Sequence, residues 1–152
     1  MLRTQLSQAL KDAMRAKEAL SVSTIRLILA ALKDRDIAAR GDGNSDGLPD
    51  DEILQLLQKM IKQRHESITL YEEAGRIELA ARERGEIDVI NRFLPKQLSD
   101  DEIKAEVDKV IAEIGAASVK DMGRLMGELR ERYAGQMDFG KASAAAKAHF
   151  LS

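Results

Sequence analysis

Apolar residues recur three and four positions apart along nearly the whole chain, which is the spacing of one face of an α-helix. Only two prolines interrupt the 152 residues, so long helical segments can form. Acidic, serine and glycine positions divide the apolar pattern before residue 94 into four segments. The four helices predicted there cover residues 2–14, 21–40, 50–75 and 76–93.

Each of these four helices is predicted to bury one apolar face. In the first helix, apolar residues four positions apart from Leu2 to Met14 predict a narrow buried stripe. The apolar residues assigned to the inward faces of the other three helices include Ile37, Leu70 and Ile77.

Small polar residues and glycines mark the predicted helix ends. Ser21 or Ser23 is predicted to cap the second helix, and Gly85 is a possible break in the fourth. Near the end of the chain, Ser118 and Asp138 are predicted to cap two further helices, because their side chains can accept hydrogen bonds from free backbone N–H groups.

The clearest boundary in the chain lies between residues 94 and 98. Pro95 disfavours helix at the residue before it, and Ser99 followed by Glu102 has the spacing of a capping box that opens a new helix. Three short helices are predicted beyond this boundary, over residues 99–114, 118–132 and 138–150. The fold class is therefore all-α, with an N-terminal bundle of about four helices (1–94) and a C-terminal three-helix bundle (95–152).

Composition excludes several classes of protein. There is no cysteine, which excludes disulfides, cysteine nucleophiles and iron–sulfur clusters, and aromatic residues make up only 3% of the chain. The net charge of −2 argues against a strongly basic, non-specific nucleic-acid binder. No apolar run is long enough to span a membrane, and no secretory signal is recognisable. A cytoplasmic location is expected.

Charge is distributed unevenly along the chain. Residues 1–98 hold 16 basic and 16 acidic side chains, residues 99–117 hold two and six, and residues 118–152 hold six and four. The basic excess therefore lies at the C-terminal end, where a local basic surface can form.

No catalytic, cofactor or metal site is predicted. The loop from Asp42 to Gly47 begins like a calcium-binding EF-hand loop, but the position that needs a bidentate Glu holds Ile53. The two histidines, His65 and His149, are far apart in sequence. No phosphate-binding or nucleophile-elbow motif occurs.

Two glycine-containing stretches near the C-terminus have two interpretations, of which packing within the bundle is the simpler. Gly123 and Gly127 are four residues apart in one predicted helix, and Gly135 follows in the stretch YAGQMDFGKAS. Such glycines permit either tight helix packing within the bundle or close approach of a nucleic-acid backbone. The cations predicted to contact that backbone are Lys120, Arg124, Arg130, Arg132, Lys141 and Lys147.

Five segments in consistent order resemble the GatB/YqeY family. They are RLILAALKDRDIAARG (26–41), MIKQRHESI (60–68), VINRFLPKQLSDDEI (89–103), MGRLMG (122–127) and YAGQMDFGKAS (133–143). The positions that match the family's tail motif are Met122, Gly123, Met126, Gly127, Gly135, Asp138, Ser143 and Lys147.

The resemblance implies a function. The chain is similar to the C-terminal helical and tail domains of GatB, a component of the tRNA-dependent Asp/Glu amidotransferase, which is a glutamine-dependent carbon–nitrogen ligase. In that enzyme the tail contacts the body of tRNA and a separate domain performs catalysis. The resemblance therefore implies a non-catalytic tRNA-binding module whose partners are tRNA and an amidotransferase or another translation-related protein.

Two other hypotheses remain open at the level of sequence. The near-neutral N-terminal part and the small-residue patch favour a protein-interaction or regulatory adaptor. An enzyme in its own right lacks a recognisable constellation of catalytic residues. A polar run on the longest helix is either a second contact surface or a solvated face, and it comprises Lys59, Lys62, Gln63 and Arg64.

Overall fold

The computed structural model describes residues 1–152 and contains seven α-helices and no β-strand, which confirms the all-α prediction. The helices are α1 (Leu2–Ala16), α2 (Ala19–Gly41), α3 (Asp50–Glu73), α4 (Ile77–Asn91), α5 (Asp100–Ile114), α6 (Met122–Tyr133) and α7 (Phe139–Leu151). A short 3₁₀ turn, Val119–Asp121, leads into α6. The chain forms two compact units, unit 1 (Met1–Leu94) and unit 2 (Pro95–Ser152).

Unit 1 contains α1 to α4. Helix α3 packs along α4 and α1 packs along α2, whereas α2 and α3 touch at few points. The fully buried side chains at the centre of unit 1 are Leu6, Ile28, Ile53, Leu57 and Ile90. Helix α3 begins at Asp50 as predicted, and three acidic residues in its first turn complement the positive end of the helix dipole.

Unit 2 contains α5 to α7 around its own apolar core. The core side chains with no exposed surface are Val107, Val110, Leu125, Leu129, Met137, Ala142 and Ala146. The three caps predicted in unit 2 are confirmed, although the segment after Ser118 starts as the 3₁₀ turn and α6 begins only at Met122. Ser99 and Glu102 form a reciprocal capping box at α5, Ser118 caps the 3₁₀ turn, and Asp138 caps α7.

Four apolar residues predicted to face inward are exposed. They are Met14 (51% exposed), Ile37 (55%), Leu70 (65%) and Ile77 (72%). Each residue turns an α-helix by about 100°, so Met14 is rotated about 120° from Leu2, whereas Ala13 is rotated only about 20° and is buried. Ile37 likewise lies about 180° from the buried Ile28.

Two predicted helix boundaries are also wrong. Helix α2 begins at Ala19, ahead of Ser21 and Ser23, because α1 ends in a left-handed residue, Lys17, and the chain re-enters helix at once. The buried Ser21 hydroxyl donates to Glu18 Oε2 at 3.1 Å. Helix α4 continues without a break through Gly85.

Candidate nucleic-acid interface

The exposed face of α6 carries Gly123 and Gly127, about 40° apart around the helix axis. A Cβ atom added at either glycine would meet nothing within 4 Å, so neither glycine serves tight packing within unit 2. Leu125 and Leu129 lie on the opposite side of α6 and are fully buried. The two glycines therefore leave a stretch of helix backbone accessible from outside.

Gly135 does not belong to that surface. It is buried and has a φ of 76°, in the left-handed region that favours glycine. Its carbonyl accepts a hydrogen bond from the Gln97 side chain. Gly135 therefore allows the chain to turn between α6 and α7. The prediction that a nucleic-acid backbone approaches closely at Gly135 is wrong.

Three of the six predicted cations pair with carboxylates. Arg132 donates to Glu113 and, at 2.8 Å, to Glu128 Oε1, and these hydrogen bonds raise the pKa of Arg132. The Lys141 ammonium lies 2.8 Å from Asp100 Oδ1, and that hydrogen bond raises the pKa of Lys141. The carboxylate partners therefore neutralise part of the positive charge of Arg132 and Lys141, which weakens the attraction of both side chains for an anionic ligand.

Arg124 has the weakest of these pairings. Its Nη2 lies 3.7 Å from Asp121 Oδ1, one helical turn earlier, and its side chain is 57% exposed. Asp121 is itself held by the backbone N–H groups of Ala117 and Ser118, which lower its pKa. An ion pair that long and that exposed contributes little, so Arg124 is available to an incoming anion.

The remaining three predicted cations form no ion pair. Lys120 and Lys147 are exposed, on the 3₁₀ turn and on α7. The Arg130 guanidinium lies 5.9 Å from the centre of the Phe139 ring, within cation–π distance. Arg130 also lies about 20° from Gly123 around α6, so the open glycine face has a cation on it.

The N-terminus of α7 is not open to an anion. Asp138 Oδ1 accepts hydrogen bonds from the backbone N–H groups of Gly140 at 2.9 Å and Lys141 at 3.1 Å. The carboxylate therefore occupies the position that a phosphate would need.

The polar run on α3 divides into two parts. Arg64 Nε donates to the buried Glu86 Oε2 at 2.8 Å and Nη1 donates to the Met60 carbonyl at 3.1 Å, so Arg64 is committed to the interior of unit 1. Lys59 is unpaired and lines a groove between α2 and α3, which Gln63 and the edge of Arg64 also line. Sequence reasoning missed this groove, because it is formed by two helices that pack against other partners.

The loop before α3 is a polar turn. Asn44 Oδ1 accepts a hydrogen bond from the Asp46 backbone at 3.0 Å, and the Asn44 amide donates to the Gly47 carbonyl at 3.4 Å. No group of three or more His, Asp or Glu side chains converges in the way that metal binding requires. None of the helices has the length and apolar character needed to cross a membrane.

Three of the relatives that are similar to this chain carry one shared name. Altered inheritance of mitochondria protein 41, mitochondrial, from Lachancea thermotolerans is 34% identical over 111 residues, covering 72% of this chain and 57% of that protein. The protein of the same name from Saccharomyces cerevisiae is 29% identical over 126 residues (79% and 65%). That from Clavispora lusitaniae is 33% identical over 117 residues (76% and 65%). The chain matches less than two thirds of the length of these relatives.

The prediction of a cytoplasmic location is wrong. All three relatives are named as mitochondrial proteins. The prediction rested on the lack of a membrane-spanning segment and of a secretory signal, and neither feature distinguishes one aqueous compartment from another.

The family resemblance is confirmed. The sequence profile described as Yqey-like protein matches residues 3–150, which is almost the entire chain of 152 residues. The match includes both units and the exposed glycine face of α6, and the chain belongs to the YqeY-like protein family.

Proposed function

We propose that this chain is a tRNA-binding accessory module that contacts the RNA backbone through unit 2. The observation that supports this most directly is the open glycine face of α6. Gly123 and Gly127 have no neighbour within 4 Å of an added Cβ, and the exposed Arg124 and Arg130 lie beside them.

The proposed contact is with phosphate and sugar rather than with bases. Base recognition in single-stranded RNA uses aromatic side chains as stacking platforms. On unit 2, Tyr133, Phe139 and Phe150 are all partly buried, and the Tyr133 hydroxyl donates to Glu106, which raises the pKa of Tyr133. The accessible groups are cations and helix backbone, which recognise shape and charge.

The same proposal includes a role beside an amidotransferase rather than catalysis by this chain alone. Its support is the resemblance of the motif from Met122 to Gly127 to the tail domain of GatB. Misacylated tRNA, glutamine and ATP supplied to the purified chain should give no amidated product. Turnover by the chain alone would contradict the accessory role.

The experiment on RNA binding uses the full chain and fluorescence anisotropy of labelled tRNA, with an RNA hairpin of similar charge as the comparison. Because the relatives are named as mitochondrial, the tRNA panel includes mitochondrial tRNA. Salt is raised from low to physiological concentration to separate specific binding from generic electrostatics. We expect a preference for tRNA that persists with salt.

The variant that tests the glycine face is Gly127→Gln. Glutamine forms helix better than glycine, so the variant should be more stable by up to about 1 kcal/mol and yet bind tRNA more weakly. The matched control is Gly41→Gln, at the end of α2, where an added Cβ also meets nothing within 4 Å. Unchanged tRNA affinity in Gly127→Gln would contradict the proposed interface.

A further inference from the structure

A continuous groove lies between α2 and α3 in unit 1. It consists of two adjoining cavities of about 450 and 330 Å³ that share Arg35, Leu56 and Lys59 as lining residues. The groove exists because α2 and α3 pack mainly against α1 and α4 and touch each other at few points. From Leu27 to Asp42 the α2 wall has fifteen residue steps, which corresponds to about 22 Å or four helical turns.

The floor of the groove is apolar in the half that lies farther from Asp42 and Glu52. Leu56 and Met60 from α3 and Ala31 from α2 line it, and Leu27 at its edge is 47% exposed. An apolar floor between two helices, continued by a more polar stretch, matches a third helix whose apolar residues lie three and four positions apart on one face and whose charged residues lie toward one end.

The charges along the groove have a defined order. Arg35 and Lys59 line its middle and form no ion pair, and Asp42 and Glu52 line one end. Arg64 lines the other end, where its charge is paired with Glu86. On each wall the acid and the base are seven residues apart, which is about 10.5 Å along the helix. A ligand with complementary charge needs a cation at one end and an anion two turns away.

We propose that this groove binds an amphipathic helix of a partner protein. The helix runs with its N-terminus toward Asp42 and Glu52, where its positive dipole end is stabilised. It carries Lys or Arg in its first turn and Asp or Glu seven residues later, opposite Arg35 and Lys59. Its apolar side chains cover Leu27. The proposal concerns unit 1 and does not depend on RNA binding by unit 2.

The charge order favours a protein helix over RNA. RNA phosphates would be repelled by Asp42 and Glu52, and only two unpaired cations line the middle of the groove. A helix that carries both charge signs complements the acidic end, the basic middle and the apolar floor of the groove at once.

The test uses the full chain and a synthetic helix as the probe. The peptide has blocked ends, about four turns of Ala and Gln with Leu on one face, one Lys in the first turn and one Glu seven residues later. The control peptide has the same composition with Lys and Glu exchanged. Binding is measured by fluorescence anisotropy, and the binding site is located by NMR chemical-shift changes. We expect the first peptide to bind at least about tenfold more tightly and to shift Leu27 and Ala31.

Charge reversal in the chain provides the second arm of the test. Arg35→Glu with Lys59→Glu should weaken binding of the first peptide about tenfold or more and reverse the preference between the two peptides. Lys33→Glu with Lys62→Glu is the matched control, because these exposed cations lie on the same two helices outside the groove. That control should bind as the unaltered chain does.

Three outcomes would overturn the proposal. One is equal affinity for the two peptides, and another is chemical-shift changes confined to residues outside the groove. The third is loss of tRNA binding in the Arg35→Glu, Lys59→Glu variant without any peptide preference in the unaltered chain, which would assign the groove to RNA.

Discussion

Arg3 and Asp36 form a two-point ion pair in which both nitrogen–oxygen distances are 2.7 Å. The same groups hold the chain between α2 and α3, because Asp36 Oδ1 accepts from the Leu48 backbone N–H at 3.0 Å and Arg3 donates to the Leu48 carbonyl at 3.0 Å. One arginine and one aspartate thus connect α1, α2 and the loop that leads into α3.

We predict that Asp36→Asn destabilises unit 1 most at neutral pH. The hydrogen bonds from Arg3 lower the pKa of Asp36 from 3.8 to about 2. As pH falls, Asp36 takes up a proton at higher pH in the unfolded chain than in the folded chain. The stabilisation from the ion pair is therefore complete above about pH 5 and is lost toward pH 2. Because the pair is partly exposed, we expect a loss of about 1 to 2 kcal/mol in the free energy of unfolding at pH 7.

Urea unfolding at a series of pH values measures this effect. The control is Asp34→Asn, two residues earlier on α2, where the side chain is exposed and forms no ion pair. Asp36→Asn should show a flatter loss of stability below pH 5 than either the unaltered chain or the control. Parallel acid profiles for all three proteins would contradict the assigned pKa.

We predict that the ion pair between Arg3 and Asp36 requires glycine at position 47. The φ of Gly47 is +82°, and an added Cβ would lie 2.7 Å from Arg3 Nη2 and 2.8 Å from Asp36 Oδ1. Gly43, in the same loop, has a similar φ of +91° but open space around an added Cβ. Comparing Gly47→Ala with Gly43→Ala therefore separates the clash from the shared cost of an alanine at positive φ.

We expect Gly47→Ala to lower the free energy of unfolding by at least about 1 kcal/mol more than Gly43→Ala. The difference should shrink when both substitutions are made in an Arg3→Ala, Asp36→Ala background, because the clashing atoms are then gone. An undiminished difference in that background would show that Gly47 has another role.

The helix caps of unit 2 were more predictable than the buried faces of the helices. Ser99, Ser118 and Asp138 act on backbone groups two or three residues away, so a short stretch of sequence contains the whole interaction. Whether Met14 or Ala13 is buried depends on the rotation accumulated along α1 and on where α2 lies. The spacing of apolar residues alone does not determine that.

In the candidate site, too, the sequence predicts what depends on neighbouring residues and does not predict what depends on contacts between helices. The sequence identified Gly123 and Gly127 as an unusual pair but left open whether they pack or are exposed, and only the fold decides that. The pairing of Arg132 with Glu113 joins residues nineteen positions apart on different helices. No local pattern indicates such a pair, so the six cations looked equivalent before the structure separated them.

Gly85 on α4 lies close to the side chain of Leu20 on α2. An added Cβ would lie 2.7 Å from Cδ2 of Leu20, which is the flexible tip of a partly exposed side chain. Gly85→Ala therefore combines a gain in helix propensity of about 1 kcal/mol with the cost of displacing Leu20, and we expect a net change within about 0.5 kcal/mol.

The compensating variant separates these two effects. In a Leu20→Ala background, Gly85→Ala should stabilise the chain by close to the full propensity gain of about 1 kcal/mol. The double-mutant cycle, measured by thermal unfolding, gives the contact energy directly. If Gly85→Ala has the same effect in both backgrounds, the two residues do not interact as the structure indicates.

Arg132 and Lys147 are both cations of unit 2, but only Arg132 is held by carboxylates of the same unit. Arg132 joins α5 to α6 through Glu113 and also pairs with Glu128, whereas Lys147 is exposed on α7 and forms no ion pair. Arg132→Gln should lower the melting temperature, and Lys147→Gln should leave it unchanged.

For tRNA binding we expect Lys147→Gln to reduce the slope of log affinity against log salt by about 1, as loss of one phosphate contact does. Arg132→Gln should change that slope less, because releasing Arg132 also frees two carboxylates near the surface. A larger slope change in Arg132→Gln than in Lys147→Gln would show that Arg132 exchanges its carboxylate partners for phosphate when RNA binds.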